Sequence, residues 1–459
     1  MNILLTGGTG LIGSQLGITL ARLGHDITAL TRKGHAADLS FPATCVAWDH
    51  RSLIPANILR PGGGHFDAVI HLAGEPVAQR WTKEAKNRIY ESRIASTKAL
   101  ITTVASLDQR PSTWLNASAI GIYGDTDQKN LTEASPGGKG FLPDVCRDWE
   151  SALSELDHGI RRVSLRFGII LSSEGGALIK MTEPFRYGLG GVIGDGTQMM
   201  SWIHIDDAVT AIIHTLNRPD LTGPVNLVAP RSSSNRDFTR TLAGALKRPA
   251  FLPVPKSILN IVLGKMSQIV TSSADVRPER LLSSGFNYKF PDLAAALSAL
   301  LGPQAQAGVR AFVARQWMPG SPAELFPFFS AADNLERITP PWLHFRIVGK
   351  STPHMTVGSL IDYKLRIKGL PIHWRTRIAT WNPPKEFSDE QLRGPYKIWH
   401  HTHTFESLGL GTLMTDHVLY KMRFWPFGDV AIPMVKKDIE TIFSYRKKHL
   451  SETFTSTQR

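Results

Sequence analysis

Three glycines near the start of the chain are spaced as in a turn that binds a doubly charged phosphate group. Gly7 and Gly10 lie between an apolar run, 2–6, and a segment with helical apolar spacing, 11–23, and Gly13 lies in the first turn of that segment. In such a turn the first glycine permits a tight bend, the second lets the backbone approach a pyrophosphate, and the third allows close helix packing. The amides and dipole at the helix N-terminus then attract the phosphates. The pattern therefore predicts a βαβ dinucleotide-binding unit.

The residues that follow the second strand predict which dinucleotide is bound. Gly24 ends the helix, a strand is expected over 25–30, and Thr31-Arg32-Lys33 follows it, with no acid before Asp38. An acidic residue at this place holds the ribose 2′-hydroxyl of NAD, whereas an arginine accommodates the 2′-phosphate of NADP. We therefore predict NADP as the cofactor, and the alternative is that Arg32 is only a solvated strand end.

Several motifs resemble one known superfamily. TGGTGLIG, from Thr6, resembles the fingerprint of the extended short-chain dehydrogenase/reductases. HLAGEPV at 71–77, SAIGIYG at 118–124 and VCRDWE at 145–150 resemble its epimerase-like branch, described as nucleotide-sugar-epimerase-related or cell-division-inhibitor-like. The resemblance covers 1–301, including a helical cap at about 248–301. It implies an α/β NAD(P)-binding Rossmann fold with a doubly wound parallel sheet.

The resemblance also implies which residues contact the cofactor. Those at the pyrophosphate are Gly7, Thr9, Gly10, Leu11, Ile12 and Gly13, and those at the 2′-phosphate are Thr31 and Arg32. The loop after the strand FDAVIHL passes under the ribose with Leu72, Ala73 and Gly74, flanked by Glu75 and Arg93. Asp49 resembles the adenine-contacting Asp of the superfamily, although the preceding Trp48 leaves that alignment open.

The catalytic pair of the superfamily is absent from this chain. Its members use a Tyr with a Lys four residues later, and the Lys lowers the pKa of the Tyr that exchanges a proton during hydride transfer. None of the eight tyrosines is followed by such a Lys, and Phe141 and Val145 stand near the expected places. Neither can relay a proton. The remaining candidates near the expected site are Ser118, Tyr123, Cys146 and Asp148, each with a structural alternative.

A second loop-to-helix junction lies in SWIHIDD at 201–207. We expect a helix to begin near Asp206, with Asp206 or Asp207 as its N-cap. His204 in this loop either faces a substrate cleft or is a buried histidine of the core.

The last third of the chain has a different pattern. A small and polar segment, 302–309, predicts a linker, and the order after it is strand, two short helices, five strand-like runs and a long amphipathic helix at about 428–452. Ser321 and Pro322 predict the start of the first short helix.

The segment 310–459 resembles the START-like superfamily of polyketide-cyclase and lipid-transport relatives, which implies an α+β helix-grip fold around an apolar cavity. Six tryptophans are candidates for lining it: Trp317, Trp342, Trp374, Trp381, Trp399 and Trp425.

Two histidines of this segment raise the question of a metal site. In WHHTHTF, His401 and His403 fall on one face of a strand and His400 on the other. Two histidines on one face could begin a zinc site, but no third ligand follows at a convincing spacing. We therefore predict no metal and an exposed strand face.

Composition limits the class of protein. The chain has 459 residues, 42% of them hydrophobic, which suits two or three globular domains. No apolar run spans a bilayer, the N-terminus does not resemble a signal peptide, and two cysteines give no disulfide framework, so we expect a cytoplasmic protein.

The net charge of +13 is dispersed, which favours small anionic molecules over nucleic acid. Superfamily members commonly dimerise through helices of the sheet domain, which leaves a homodimer open.

Three functions are compatible with these patterns. The first is an NADP-dependent oxidoreductase or epimerase-like enzyme acting on a small carbonyl or sugar-like substrate, with an appended domain for an apolar ligand. The second is a non-catalytic NADP-binding redox sensor coupled to that domain. The third is a carrier of hydrophobic ligands with a reductase-like scaffold. Arg32 and the glycine turn favour the first two.

Overall fold

The computed structural model describes residues 1–60, 63–255, 257, 259, 264–306, 308–424 and 427–455. The chain forms two compact units. The first comprises 1–36 and 43–303, and the second comprises 37–42 and 304–459. Residues 256, 258 and 260–263 of the predicted cap, 248–301, lie outside the described residues, as does Trp425.

The first unit is built on a parallel seven-stranded sheet with the strand order β10-β6-β5-β4-β1-β2-β3. Its strands are β1 (Asn2–Thr6), β2 (Asp26–Thr31), β3 (Thr44–Ala47), β4 (Ala68–His71), β5 (Thr113–Ala119), β6 (Arg161–Phe167) and β10 (Gly223–Leu227). Four shorter strands form two small sheets: β7 (Ile169–Leu171), β8 (Met199–Met200), β9 (Trp202–His204) and β11 (Ser233–Ser234). This order confirms the predicted Rossmann-like doubly wound fold.

Of the described helices of the first unit, the first six lie between strands of the parallel sheet and the others follow its last strand, β10. They are α1 (Leu11–Arg22), α2 (Ala56–Leu59), α3 (Lys83–Ala105), α4 (Phe141–Ser151), α5 (Gly176–Arg186), α6 (Ile205–Leu216), α7 (Asn235–Leu246), α8 (Gln268–Thr271), α9 (Glu279–Ser283) and α10 (Leu293–Leu301). A short 3₁₀ turn, Ile120–Tyr123, follows β5. Because helices cover both faces of a parallel sheet, its strands are apolar almost throughout, as β4 shows with four buried residues in succession.

The predicted N-cap of α6 was wrong by two or three residues. His204 is the cap, and its Nδ1 accepts a hydrogen bond from the Asp206 amide at 3.1 Å. Asp207 instead accepts hydrogen bonds from the amides of Lys289 and Phe290, at 2.7 and 2.9 Å. These bonds connect the segment before α10 to the start of α6. A carboxylate that satisfies two backbone amides of another segment is not available to cap its own helix.

The second unit is a separate antiparallel sheet with helices. Seven strands pair in the order β12-β18-β17-β16-β15-β14-β13. They are β12 (Arg310–Pro319), β13 (Arg346–Lys350), β14 (Leu360–Ile367), β15 (Leu370–Asn382), β16 (Glu386–Arg393), β17 (Tyr396–Leu408) and β18 (Gly411–Met422). Its helices are α11 (Pro322–Ser330), α12 (Ala332–Arg337) and the long α13 (Ile432–Thr455).

Local signals in the second unit predict most of these elements. Ser321 caps α11 in a capping box, since its hydroxyl accepts from the Glu324 amide and Glu324 accepts from the Ser321 amide. Val435, Ile439 and Phe443 form the buried face of α13, as their spacing predicts. The strand β16 was not predicted, because EFSDEQLR is rich in acidic residues that are rare in strands. None of the described helices is long and apolar enough to cross a bilayer.

Candidate functional site

The carboxyl ends of β1 and β4 meet where the strand order of the first sheet reverses. Open α/β sheets bind ligands in the crevice at such a point. The Thr6 hydroxyl lies at the centre of this edge. It accepts hydrogen bonds from the amides of Leu72 and Ala73, each at 3.2 Å, and lies 2.6 Å from Nδ1 of the buried His71. The loop after β4 is therefore held directly beside the glycine turn.

Steric contacts explain why the turn requires glycine. Gly7 has φ +74°, and a Cβ there would lie 2.8 Å from the Leu72 carbonyl carbon. A Cβ on Gly13 would lie 2.1 Å from the Gly7 carbonyl oxygen. Gly10 precedes α1 as its N-cap and offers no side chain to the first amides. The first amides of the helix therefore stay available to an anion.

The three remaining residues predicted at the pyrophosphate surround this turn. Thr9 is exposed, and Leu11 and Ile12 are half-buried in the first turn of α1. The structure brings them together with the three glycines. Their contact with a cofactor remains a prediction.

Thr31 and Arg32 differ in what they offer a ligand. Thr31 is buried, and its hydroxyl accepts a hydrogen bond from the Gly34 amide at 2.9 Å, so it shapes the turn after β2. Arg32 is exposed, and within the described ranges no hydrogen bond or ion pair to its guanidinium is found. Burial and, second, the charge of Arg32 lower the pKa of nearby His50. Arg32, which is followed by the exposed Lys33, is therefore an available cation at the end of β2.

Asp49 stabilises a turn. Its Oδ1 accepts hydrogen bonds from the amides of Arg51 and Ser52, at 2.9 and 2.8 Å, and these bonds, the Ser52 one first, lower its pKa to about 2. The carboxylate is thus already engaged with its own loop.

Glu75 and Arg93 do not pair with each other as side chains. Arg93 Nη1 donates to the backbone carbonyl of Glu75 at 3.0 Å, and its guanidinium lies 5.1 Å from the Trp149 ring centroid. The Glu75 carboxylate accepts from Gln79 and lies 3.7 Å from Arg88 Nε. Burial lowers the pKa of Arg93. Arg93 therefore fixes the backbone of the loop after β4.

The helix where the catalytic pair of the superfamily would stand is α4. Phe141 at its start is half-buried, with Lys86 Nζ 4.6 Å from its ring centroid, and Val145 is buried. Neither side chain carries a transferable proton.

Ser118 and Tyr123 belong to a buried polar network. The Ser118 hydroxyl donates to Glu150 Oε1 at 2.6 Å, and Arg166 binds both oxygens of Glu150 at 2.8 Å. The Tyr123 hydroxyl accepts from Arg166 Nη1 at 2.9 Å and lies 2.8 Å from Asn226 Oδ1. Burial raises the pKa of Tyr123.

Sequence reasoning missed Glu150 and Arg166. The signal was present in LRFGIIL, where an arginine interrupts an apolar strand and must find a buried partner. Glu150 lies in helix α4, and Arg166 lies in the next strand, β6, 16 residues further along the chain. The partner could be identified only from the fold.

Cys146 is not an activated thiol. It is buried in α4, and burial followed by the charge of Glu150 raises its pKa to about 12. The opposing influence of Arg93 is smaller. At neutral pH the side chain is therefore a protonated thiol, which is a poor nucleophile.

The other two residues considered as candidates are also engaged. Asp148 accepts a hydrogen bond from the Tyr90 hydroxyl at 2.9 Å. His204 is buried, its ring centroid lies 3.9 Å from that of Phe290, and burial lowers its pKa to about 4. His204 therefore belongs to the core and caps α6.

The second unit contains a cavity of about 980 Å³. Its wall is largely apolar and aromatic, and it includes Trp342, Trp374, Trp381, Trp399, Tyr363 and Phe387. Trp317, predicted as a candidate, does not line this cavity and donates to the Leu408 carbonyl at 2.9 Å. This volume and lining are typical of a site for a small apolar molecule.

The prediction of an exposed histidine face was wrong. His401 and His403 do share a face of β17, but both are buried and line this cavity. Neighbouring strands place Asp389 of β16 and Asp416 of β18 beside them. The sequence could not show this, because it depends on the pairing of β17 with β16, a strand that was not predicted.

The parallel sheet and its glycine turn together define a dinucleotide-binding protein of the Rossmann class. A model of the NAD dependent epimerase/dehydratase family matches residues 3–228, and one of a domain of unknown function, DUF1731, matches 254–300. The Bacillus subtilis epimerase family protein YfhF is 36% identical over 303 residues, 66% of this chain and 98% of that protein. The chain belongs to the NAD dependent epimerase/dehydratase family.

Solved structures agree with this assignment. The human epimerase family protein SDR39U1, solved with NADPH, is 33% identical with a TM-score of 0.59, covering 66% of this chain and 99% of that one. A nucleoside-diphosphate sugar epimerase from Corynebacterium glutamicum is 33% identical with a TM-score of 0.53, covering 66% of this chain and 58% of that one.

Proposed function

We propose that the first unit binds NADP in preference to NAD, and Arg32 is the observation that carries this proposal. It is an exposed guanidinium at the end of β2, where a cofactor's ribose 2′-position falls in this fold. Guanidinium groups bind phosphate through several N–H donors at once. The acid that would favour the free 2′-hydroxyl is missing from Thr31-Arg32-Lys33.

The residues at the crevice fit the rest of a dinucleotide. The space beside Gly7, Gly10 and Gly13 would be reduced by any side chain, and the amides of α1 face it without a capping side chain. The loop at Leu72 and Ala73 is fixed by Thr6. The human relative SDR39U1, whose structure was solved with NADPH, supports the same choice of cofactor.

Titration calorimetry with NADPH and NADH tests this proposal. We expect the wild-type chain to bind NADPH at least about tenfold more tightly, and Arg32→Ala to remove most of that preference, since about 1.4 kcal/mol corresponds to tenfold. Arg110→Ala is the matched control. This exposed arginine precedes β5, so it lies at the amino ends of the parallel strands, away from the crevice at their carboxyl ends. It pairs with Asp157. Equal binding of the two cofactors by the wild type would refute the proposal.

We further propose that the unit is an oxidoreductase or epimerase-like enzyme for a small carbonyl or sugar-like substrate. When bound, NADP exchanges a hydride with the substrate. Ser118 lies near the carboxyl end of β5, the neighbour of β4, and its hydroxyl donates its proton to Glu150. Hydride transfer from NADPH to a carbonyl leaves an alkoxide that needs one proton, and Ser118 can donate it only after its bond to Glu150 rearranges.

A panel of carbonyl compounds and nucleotide sugars, with NADPH oxidation and product formation as readouts, tests for this activity. We expect slow turnover on some member, and Ser118→Ala to lower kcat at least tenfold while NADPH affinity stays unchanged. Thr113→Ser at the other end of β5 is the control. Unchanged turnover in Ser118→Ala would exclude that residue as the proton donor.

The second candidate function is a non-catalytic NADP-binding redox sensor. One observation favours it: Ser118, Tyr123 and Cys146 are all buried, the first two are hydrogen-bonded within the network, and the third is held as a thiol. Tight NADPH binding with no oxidation across the panel would support the sensor. Repeated turnover, with one product formed for each NADPH oxidised, would exclude the sensor function.

For the second unit we propose a START-like helix-grip domain that binds an apolar ligand, with domain limits of 1–301 and 310–459 around a linker at 302–309. The order of its elements and the aromatic cavity support this. Ile442 of α13 lines the cavity, whereas Ser444 of the same helix is exposed and does not.

Fluorescence of 1-anilinonaphthalene-8-sulfonate with the full chain tests the apolar cavity. We expect saturable binding that Ile442→Trp weakens at least tenfold by filling space, while Ser444→Trp leaves it unchanged. Equal affinity in both variants would place the dye elsewhere and contradict the proposal.

A further inference from the structure

We propose that Asp389, His401 and His403 form a binding site for one divalent transition-metal ion on the wall of the cavity in the second unit. One ligand atom from each of the three lies within 4.8 Å of the other two. Two imidazoles and one carboxylate are the donor set of many zinc and non-haem iron sites. All three residues line the cavity.

The distances suit an ion between the three side chains. Asp389 Oδ2 lies 3.8 Å from His401 Nδ1 and 3.9 Å from His403 Nε2. Ligands about 2.1 Å from a tetrahedral metal are separated by roughly 3.4 Å. Small rotations of the side chains therefore bring the atoms to coordination distance.

Asp416 holds both histidines from behind. Its Oδ1 is hydrogen-bonded to His401 Nε2 at 2.9 Å and lies 2.7 Å from His403 Nδ1. Metal-binding histidines usually donate their other ring N–H to a carboxylate, which fixes the ring and the tautomer. Here the Asp416 carboxylate faces one nitrogen of each ring, His401 Nε2 and His403 Nδ1, called the outer nitrogens. The inner nitrogens, His401 Nδ1 and His403 Nε2, face Asp389.

This arrangement brings acceptors together. When the outer nitrogens of His401 and His403 carry the protons toward Asp416, their inner nitrogens present lone pairs to the Asp389 carboxylate. Among the described residues, no hydrogen bond to that carboxylate is found, and 16% of its side chain is exposed. Three acceptors that face one another require a cation or additional protons between them.

A cationic side chain and an aromatic ring also flank the site. Arg446 Nη1 lies 3.7 Å from Asp416 Oδ1 and offsets the charge of that carboxylate. Phe387 stacks on His403 with a centroid distance of 4.3 Å and keeps the ring in place. The cavity side of the site remains open, so an oxygen atom of a cavity ligand would complete the coordination.

Zinc binding by the full chain, prepared without a histidine tag and stripped with chelator, tests this site. We expect calorimetry with ZnCl₂ to show one ion per chain and X-ray absorption to show two imidazole ligands. His401→Gln and Asp389→Asn should each weaken binding at least 100-fold. Asp416→Asn should weaken it about 10- to 100-fold.

The control is His400→Gln, since His400 lies on the other face of the same strand. It should bind zinc as the wild type does, and circular dichroism checks that every variant folds. Wild-type X-ray absorption needs no variant and keeps the test valid if one unfolds. Absence of saturable zinc binding, or binding that His401→Gln leaves intact, would overturn the proposal and indicate that protons alone fill the gap.

Discussion

Arg166 and Glu150 form a two-pronged ion pair inside the first unit, with Nε and Nη2 of the guanidinium each 2.8 Å from a different carboxylate oxygen. The pair joins β6 to α4. It also orients the hydroxyl groups of two residues that the sequence offers as catalytic candidates, because Ser118 donates to Glu150 and Tyr123 accepts from Arg166. The catalytic candidates Ser118 and Tyr123 are thus both hydrogen-bonded to the Arg166–Glu150 ion pair.

Removal of Arg166 should strongly destabilise the first unit. Arg166→Met leaves the Glu150 carboxylate buried without its partner, and such a loss typically costs about 3–5 kcal/mol. Urea unfolding monitored by hydrogen exchange at peptides of β5 and β6 measures it. Arg147→Met, which removes an exposed pair with Asp144, should cost less than about 1 kcal/mol. Equal effects of the two substitutions would contradict the role of the buried pair.

Two glycines in helices should respond to alanine in opposite ways. In Gly13→Ala the new Cβ meets the Gly7 carbonyl oxygen, so we expect a destabilised first unit and loss of NADPH binding. In Gly244→Ala no atom lies within 4 Å of the new Cβ, and the better helix propensity should stabilise by about 0.5–1 kcal/mol. Thermal unfolding and calorimetry measure both. A stabilised Gly13→Ala that binds NADPH would show that the close packing is not required.

The thiol of Cys146 should resist alkylation in the folded protein. With its pKa raised to about 12, the thiolate is scarce between pH 7 and 9, and burial blocks access. We expect iodoacetamide to label Cys146 at least about 100-fold more slowly in native protein than in urea, by peptide mass spectrometry. Half-buried Cys45 is the internal comparison. Rapid native labelling of Cys146 would revive it as a nucleophile.

The first unit should become less stable as the pH is lowered, because His71 is held neutral in the folded state. Burial, and then the charge of His50, lowers its pKa to about 3 from 6.5, so the unfolded chain takes up a proton at a higher pH than the folded one. The contribution is fully present above pH 6.5 and declines as the pH falls toward 3, by about 1.4 kcal/mol per unit.

The variant His71→Gln isolates this contribution. The difference in unfolding free energy between wild type and variant should shrink by about 1.2 kcal/mol from pH 6 to pH 5 and change by less than about 0.2 kcal/mol from pH 7 to pH 8. Urea unfolding with hydrogen exchange at peptides of β1 and β4 measures it. A difference that does not change below pH 6 would show that His71 is not held neutral.

Local patterns predicted the elements around the glycine turn closely. The strand expected over 2–6 is β1, and the helix expected over 11–23 is α1, one residue shorter. Periodicity and glycine chemistry act over a few residues, so they can be read in order along the chain. The missed strand, β16, shows the limit: its acidic residues are accommodated by partners on β15 and β17 that local propensity does not contain.

The sequence by itself determined the dinucleotide-binding turn, the cation at the end of β2 and the absence of the usual Tyr and Lys, because each depends on residue types at short spacing. Only the tertiary structure decided that Tyr123 and Cys146 are buried and that Asp389 meets His401 and His403. Strand pairing and burial bring together groups far apart in the chain. The resulting desolvation and charge contacts set what those groups can do.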